Sequence, residues 1–358
     1  MTITLLLLFG LILLFTFTIM FGRMINAQKY KIRSEAGIQK AGYITIGGLD
    51  QYVQIRGQNI SNPVVIILHG GPGSHMTYYS YGWQAGLEQN YTIVHWDQRG
   101  CGNTYYRNKE AEKPTVDLLL SDLDALVEYI RLKYNKEKVI IMGHSWGTLL
   151  GGIYSGKHPE KVSAYISVSQ MLDFKKSEEA SAQEAARLAN AAGKIRDARE
   201  IVSRLELIKT YQKLDQPKAV EFMKFRQLKE KYLPSQYGNA MVSLQLFSPY
   251  MTFNDIRWML RFDKRIESNS ALYESLLSDG SLSMYDYTYQ YEAPVILIAG
   301  ECDWTTPYSM ALHYFNEISA PSKVFISIEN AGHIPFIDKP KEFSETLLKA
   351  LRNVQYPC

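Results

Sequence analysis

Gly143-His144-Ser145-Trp146-Gly147 follows the apolar run 139–142 and precedes an apolar, helix-like segment. A short run of β-branched residues reads as a buried parallel strand. The pattern G-x-S-x-G directly after it describes a strand that turns into a helix so sharply that the serine is held in strained geometry. Side chains two positions to either side would collide across such a turn, which accounts for the two glycines. On this reading Ser145 is a nucleophile presented at the carboxyl end of a sheet; the plainer alternative is a turn serine or a helix N-cap. The decision rests on its partners.

A serine hydroxyl is a poor nucleophile unless a base takes its proton, and imidazole suits that task near neutral pH. The chain offers seven histidines. His144 adjoins the serine and is expected to point away, His69 and His75 flank a glycine-rich loop, His95 lies inside an apolar run, and His158 and His313 fall on helix-like segments. His333, in "ENAGHIPFIDKP", stands in a Gly- and Pro-punctuated loop just past the last apolar run, on the sheet edge expected for Ser145. The third member must be a carboxylate that sets the imidazole tautomer and stabilises the imidazolium. Asp303, in "LIAGECDWTTP", is favoured over Glu301, which is closer to the strand. Donors for a developing oxyanion are expected from the backbone N–H groups of Gly71, in "HGGPGSH", and of Trp146, the residue after the nucleophile.

Elements must bring these loops together. "YITIGGLDQYVQIRG" alternates apolar and polar residues around a turn and predicts a β-hairpin. Apolar runs at 64–68, 92–96, 139–142, 164–168, 295–299 and 324–328 predict strands, several separated by helix-period segments such as Leu119, Leu123, Leu126 and Ile130, or Phe343, Leu347 and Leu351. Strands alternating with helices imply a mostly parallel sheet covered on both faces. Residues 172–292 break the alternation with sequence rich in Ala, Leu, Glu, Lys and Arg, which predicts a helical insertion, its many charges forming a solvated face. Residues 3–22 carry no charge and are long enough, at about 20 residues, to cross a bilayer as a helix. They exceed a signal-peptide apolar stretch and lack a good cleavage site, so an uncleaved anchor is expected. Residues 29–40 read as a polar, basic linker.

The formal net charge of +3 in 358 residues gives no nucleic-acid signal. Cys101, Cys302 and Cys358 form neither a disulfide framework nor a ligand cluster, so free thiols and no metal are expected. Arg23, Lys29, Lys31 and Arg33 follow the apolar segment against a single Glu35, while only the α-amino group precedes it. The richer side stays cytoplasmic, which predicts a single-pass membrane protein with its catalytic part inside; a cleaved signal or inverted anchor would export it instead.

With "HGGPG" at 69–73, "WDQRGCG" at 96–102 and "GHSWG" at 143–147, the chain resembles the α/β-hydrolase superfamily, and within it the proline iminopeptidase group of serine aminopeptidases, over about residues 42–352. The order Ser145, Asp303, His333 is also the α/β-hydrolase order. The resemblance implies an α/β-hydrolase fold with a helical cap, here preceded by one transmembrane helix. The expected division is 1–28 anchor and flank, 42–171 first part of the core, 172–292 cap and 293–358 second part of the core. It implies release of an N-terminal residue from a short peptide or aminoacyl amide, without metal or cofactor, with cap carboxylates holding the substrate's ammonium group. Glu178, Glu184 and Glu206 are of that class, and the sequence selects none of them. Proline-specific members resemble one another in a Trp-Glu element of the cap, whereas this chain has no tryptophan between Trp146 and Trp258. A carboxylesterase or amidase acting on small molecules uses the same triad, and a non-catalytic binding module is the third reading.

Overall fold

An eight-stranded sheet organises the chain in the computed structural model, which describes residues 2–234, 240–287 and 289–355. The expected hairpin forms β1 (Ile38–Ile46) and β2 (Leu49–Gly57), paired antiparallel. The six apolar runs become β3 (Val64–Leu68), β4 (Thr92–Trp96), β5 (Val139–His144), β6 (Val162–Val168), β7 (Val295–Gly300) and β8 (Lys323–Ile328). Their order is β1-β2-β4-β3-β5-β6-β7-β8; β2 meets β4 antiparallel and every later pairing is parallel. The chain runs outward from β3 to β4 on one side and then returns to lay β5 on the other. Such a reversal leaves a crevice at the carboxyl ends of the adjoining strands.

A long helix, α1 (Thr2–Lys29), precedes the sheet. On one face of the sheet lie α2 (Val116–Tyr134) and α3 (Trp146–Lys157). Thr115 caps α2 by accepting from Leu118 N, and its Leu119, Leu123, Leu126 and Ile130 are all fully buried against the strands. Each such side chain contributes on the order of 1.5–3 kcal/mol through burial. Between β6 and β7 the chain is helical: α4 (Phe174–Ala191), α5 (Ile195–Lys209), α6 (Gln216–Glu230), α7 (Ala240–Leu246) and α8 (Phe253–Leu260), then Phe262–Ser268 and Ser270–Leu277. The first three pack a core of their own from Ala182, Ala185, Ile201, Leu205, Phe222 and Phe225. After β7 come α9 (Tyr308–Glu317) and α10 (Pro340–Gln355), whose Phe343, Leu347 and Leu351 cover the opposite face of the sheet.

The linker expected over 29–40 is shorter at both ends. α1 continues through Lys29, and β1 starts at Ile38, where Ile38, Gln39 and Lys40 pair with Gly57, Arg56 and Ile55. The polar residues that end α1 are held by contacts to the helices after β6, which local charge pattern does not reveal. Cys101 and Cys302 are free thiols, and Cys358 lies outside the described residues.

Candidate active site

β5 passes into α3 at Ser145, whose φ of 53° and ψ of −119° are left-handed backbone that a side chain rarely adopts. The turn is closed so tightly that a Cβ on Gly143 would lie 2.4 Å from Gly147 O, and one on Gly147 would lie 2.2 Å from Leu68 O. Only glycine fits at either place.

His333 arrives from the loop after β8 and Asp303 from the loop after β7. His333 Nδ1 lies 3.0 Å from Asp303 Oδ2, and His333 Nε2 lies 3.0 Å from Ser145 Oγ. Asp303 is buried, accepts from the Thr305 and Thr306 amides at 2.9 Å each, and accepts from Thr306 Oγ1 at 2.8 Å. Burial works to raise its pKa, but His333 beside it and the Thr306 donors hold the carboxyl below its ordinary value. An ionised carboxylate only accepts, so the proton of His333 sits on Nδ1, leaving Nε2 to accept from the Ser145 hydroxyl. Glu301, the other acid of this loop, is exposed and accepts from Ser327 Oγ at 2.7 Å instead.

Two residues that sequence reasoning did not assign hold the histidine. His144 Nε2 lies 2.9 Å from the His333 carbonyl oxygen, which also accepts from Ser169 Oγ at 3.0 Å. Burial and the neighbouring His333 push the His144 pKa down to about 3, so its ring is neutral and donates from Nε2–H. Gly71 lines the cavity in front of Ser145. His69 fixes this loop: its Nε2 accepts from Gln98 N at 3.2 Å, so Nδ1 carries the proton that goes to Gly70 O at 2.8 Å. Trp146 is the first residue of α3, where a backbone N–H has no intrahelical acceptor; its indole turns inward to Gln98 Oε1 at 3.4 Å.

The cavity at Ser145 is about 260 Å³ and is lined by Gly71, His144, Phe174, Arg226, Glu230 and His333, among others. The helices after β6 thus complete a site begun by the strand-end loops. A model of the alpha/beta hydrolase fold matches residues 63–340. The chain belongs to the α/β-hydrolase family. A probable aminopeptidase, YbaC, of Bacillus subtilis is 27% identical over 318 residues, 87% of this chain and 95% of the relative. A proline iminopeptidase of Heyndrickxia coagulans is 26% identical over 316 residues, 84% and 95% of the two chains. The solved structure of a proline iminopeptidase-related protein from Thermus thermophilus superposes with a TM-score of 0.57 at 20% identity, over 88% of this chain and 98% of that one.

Of the glutamates noted in this hydrolase's insertion, Glu184 pairs with Arg187 and Glu206 with Lys209 on the surface. Glu178 is buried and bridges Arg226 and Lys229. Burial would raise its pKa, but the Arg226 and Lys229 charges lower it below the ordinary value. Among the described residues, Glu230, one turn beyond Arg226 on α6, is the insertion carboxylate that lines the Ser145 cavity. Among its described residues the insertion has no strand to index its helices, so no periodicity in the sequence singles Glu230 out.

A second buried ionic cluster lies behind the glycine loop of the hydrolase. The donor atoms of His75, Asp97 and Asp255 come within 4.8 Å of one another, a spacing that would suit a cation. They are spent on each other and on neighbours: His75 Nε2 meets Asp255 Oδ1 at 2.7 Å, while Asp97 accepts from Thr77 Oγ1 at 2.8 Å and Asn103 N at 3.0 Å. Burial alone would lower the His75 pKa, but the Asp97 charge and the Asp255 hydrogen bond carry it well above the ordinary value.

Proposed function

We propose that this α/β-hydrolase is a serine aminopeptidase that removes N-terminal residues from short peptides or aminoacyl amides. The carrying observation is the hydrogen-bonded series Ser145, His333, Asp303 opening on a cavity that α6 closes with a carboxylate. Ser145 Oγ bonds to the substrate carbonyl carbon as its proton passes to His333 Nε2, and Asp303 stabilises the imidazolium. The Gly71 and Trp146 amides take the oxyanion. The imidazolium then protonates the leaving nitrogen, the C–N bond breaks, and an acyl-enzyme remains. Water, deprotonated by the same imidazole, cleaves the ester, returning the residue's carboxylate and free Ser145.

Residues 172–292 act as the cap in this reading, and Glu230 holds the substrate's α-ammonium. The names of the similar proteins support peptide substrates. Phe174 and Met171 line the cavity beside Ser145 and give it an apolar wall suited to a side chain. α1 anchors the enzyme in a membrane, being long and apolar enough to span one and unburied in the fold. The test compares free aminoacyl arylamides, N-acylated arylamides and simple aryl esters on the full-length protein. Free arylamides are expected to be preferred, and Glu230→Gln should raise KM for them while sparing aryl esters. Equal rates on free and blocked arylamides would replace the aminopeptidase reading with an esterase or amidase.

A further inference from the structure

The last turns of α1 are gripped by the segment that joins α7 to α8. Arg23 Nε donates to Leu246 O at 2.9 Å and Arg23 Nη2 to Met251 Sδ at 3.4 Å, while Asn26 Nδ2 donates to Phe247 O at 3.0 Å. A Cβ on Gly22 would lie 2.3 Å from the Phe247 ring, so that ring packs directly on the helix backbone where only glycine leaves room. Beyond the helix, Arg56 Nη2 donates to Tyr30 O at 2.6 Å, and the Tyr30 ring meets Tyr81 edge-on at 5.0 Å. α1 is therefore fixed to the catalytic body.

This attachment sets a depth. Arg23 is the first charged residue after the apolar stretch, and cationic side chains at the end of a span settle at the headgroup level. Whatever Arg23 grips lies at that level too, and α8 begins two residues past Met251. The outer face of α8 is apolar: Phe253 is 73% exposed and Leu260 77%, with Ile256 and Met259 between them, and Val242 of α7 is 60% exposed nearby in sequence. The inner face carries Asp255 and Trp258, both buried. Phe253, Ile256 and Leu260 recur at helical spacing, so the exposed apolar positions form a stripe. Arg257 borders the stripe, its guanidinium 4.3 Å from the Tyr106 ring centre and 5.8 Å from that of Phe253. An apolar helical face fringed by arginine and aromatic rings suits the boundary between headgroups and acyl chains.

We infer that the outer face of α8, with Val242 of α7, is a lipid-contacting surface that lies in the interface of the bilayer spanned by α1. The inference rests on α1 being an anchor, and its test separates the two. Single cysteines replace Ile12, Phe253, Leu260 or Leu132 in a full-length Cys302→Ser, Cys358→Ser protein, are labelled with an environment-sensitive fluorophore, and are reconstituted in phosphatidylcholine–phosphatidylglycerol vesicles containing nitroxide-labelled lipid. Leu132, 80% exposed on α2, is the control away from this face. Emission is expected to be lost at Ile12→Cys, Phe253→Cys and Leu260→Cys and retained at Leu132→Cys. Retained emission at 253 and 260 beside loss at 12 overturns the lipid face and leaves the anchor; dependence of that emission on the protein-to-lipid ratio would then assign the face to a second copy. Retained emission at 12 overturns the anchor, and with 253 and 260 also retained, the lipid face as well.

Discussion

Ser145 keeps a φ of 53° in a fully formed strand-to-helix turn, a conformation that costs on the order of 1–3 kcal/mol and survives only where the surroundings impose it. Such strain has a use if the hydroxyl is the nucleophile. Ser145→Ala is therefore expected to lower turnover by several orders of magnitude, about 10⁵-fold, with circular dichroism unchanged. Activity within tenfold of the parent would remove Ser145 from that role. Asp303→Asn should cost about 10⁴-fold, since an amide favours the wrong imidazole tautomer, while Glu301→Gln should be silent because Glu301 binds Ser327. The reverse result would transfer the acid to Glu301. These residues were legible because the turn demands glycines at fixed spacing and because Asp303 and His333 stand in loops just past apolar runs. His144 was not: its partner is a backbone carbonyl 189 residues away, and no side-chain pattern marks such a contact.

At the scale of elements, α8 has two faces with different work. Outward it carries the apolar stripe; inward, Trp258 Nε1 donates to Gly73 O at 2.8 Å and Asp255 pairs with His75, so the helix steadies the loop that holds Gly71. The sign of the ionic contribution follows from His75. Its folded pKa lies above the unfolded value of about 6.5, so the stabilisation it adds is complete below that value and is lost as pH rises through the folded pKa. Denaturant midpoints of the parent and His75→Gln should thus differ most in mildly acidic solution and converge in alkaline solution. A constant gap across that range would show that His75 is not charged in the folded protein. The sheet was legible element by element, since each buried strand is a short apolar run between turn residues. The register of the insertion was not, because α8 is fixed by contacts made across more than a hundred residues to loops of the core, as from Trp258 to Gly73, and α6 by buried ion pairs to Glu178, 48 and 51 residues back.

The whole molecule joins a hydrolase body to a helix that carries an apolar surface of its own. The two are fastened by Arg23 and Asn26 rather than by a free linker, so with α1 as the proposed anchor, the side of the membrane on which Arg23 emerges would decide where the active site faces. Arg23, Lys29, Lys31 and Arg33 all follow the apolar stretch, and an excess of Lys and Arg beside a span is retained on the cytoplasmic side. The exposed face of α8 would then lie against the inner leaflet, whose anionic lipids attract basic residues with about 1 kcal/mol for each one near the surface. Protease added to intact cells should leave the catalytic body whole and digest it only after lysis. Digestion without lysis would turn the anchor round, and a shortened catalytic body released into the medium would mean that the apolar segment is cleaved. In the latter case the contacts from Arg23 and Asn26 to residues 246–251 would be lost with it, and the α8 stripe would have to face water.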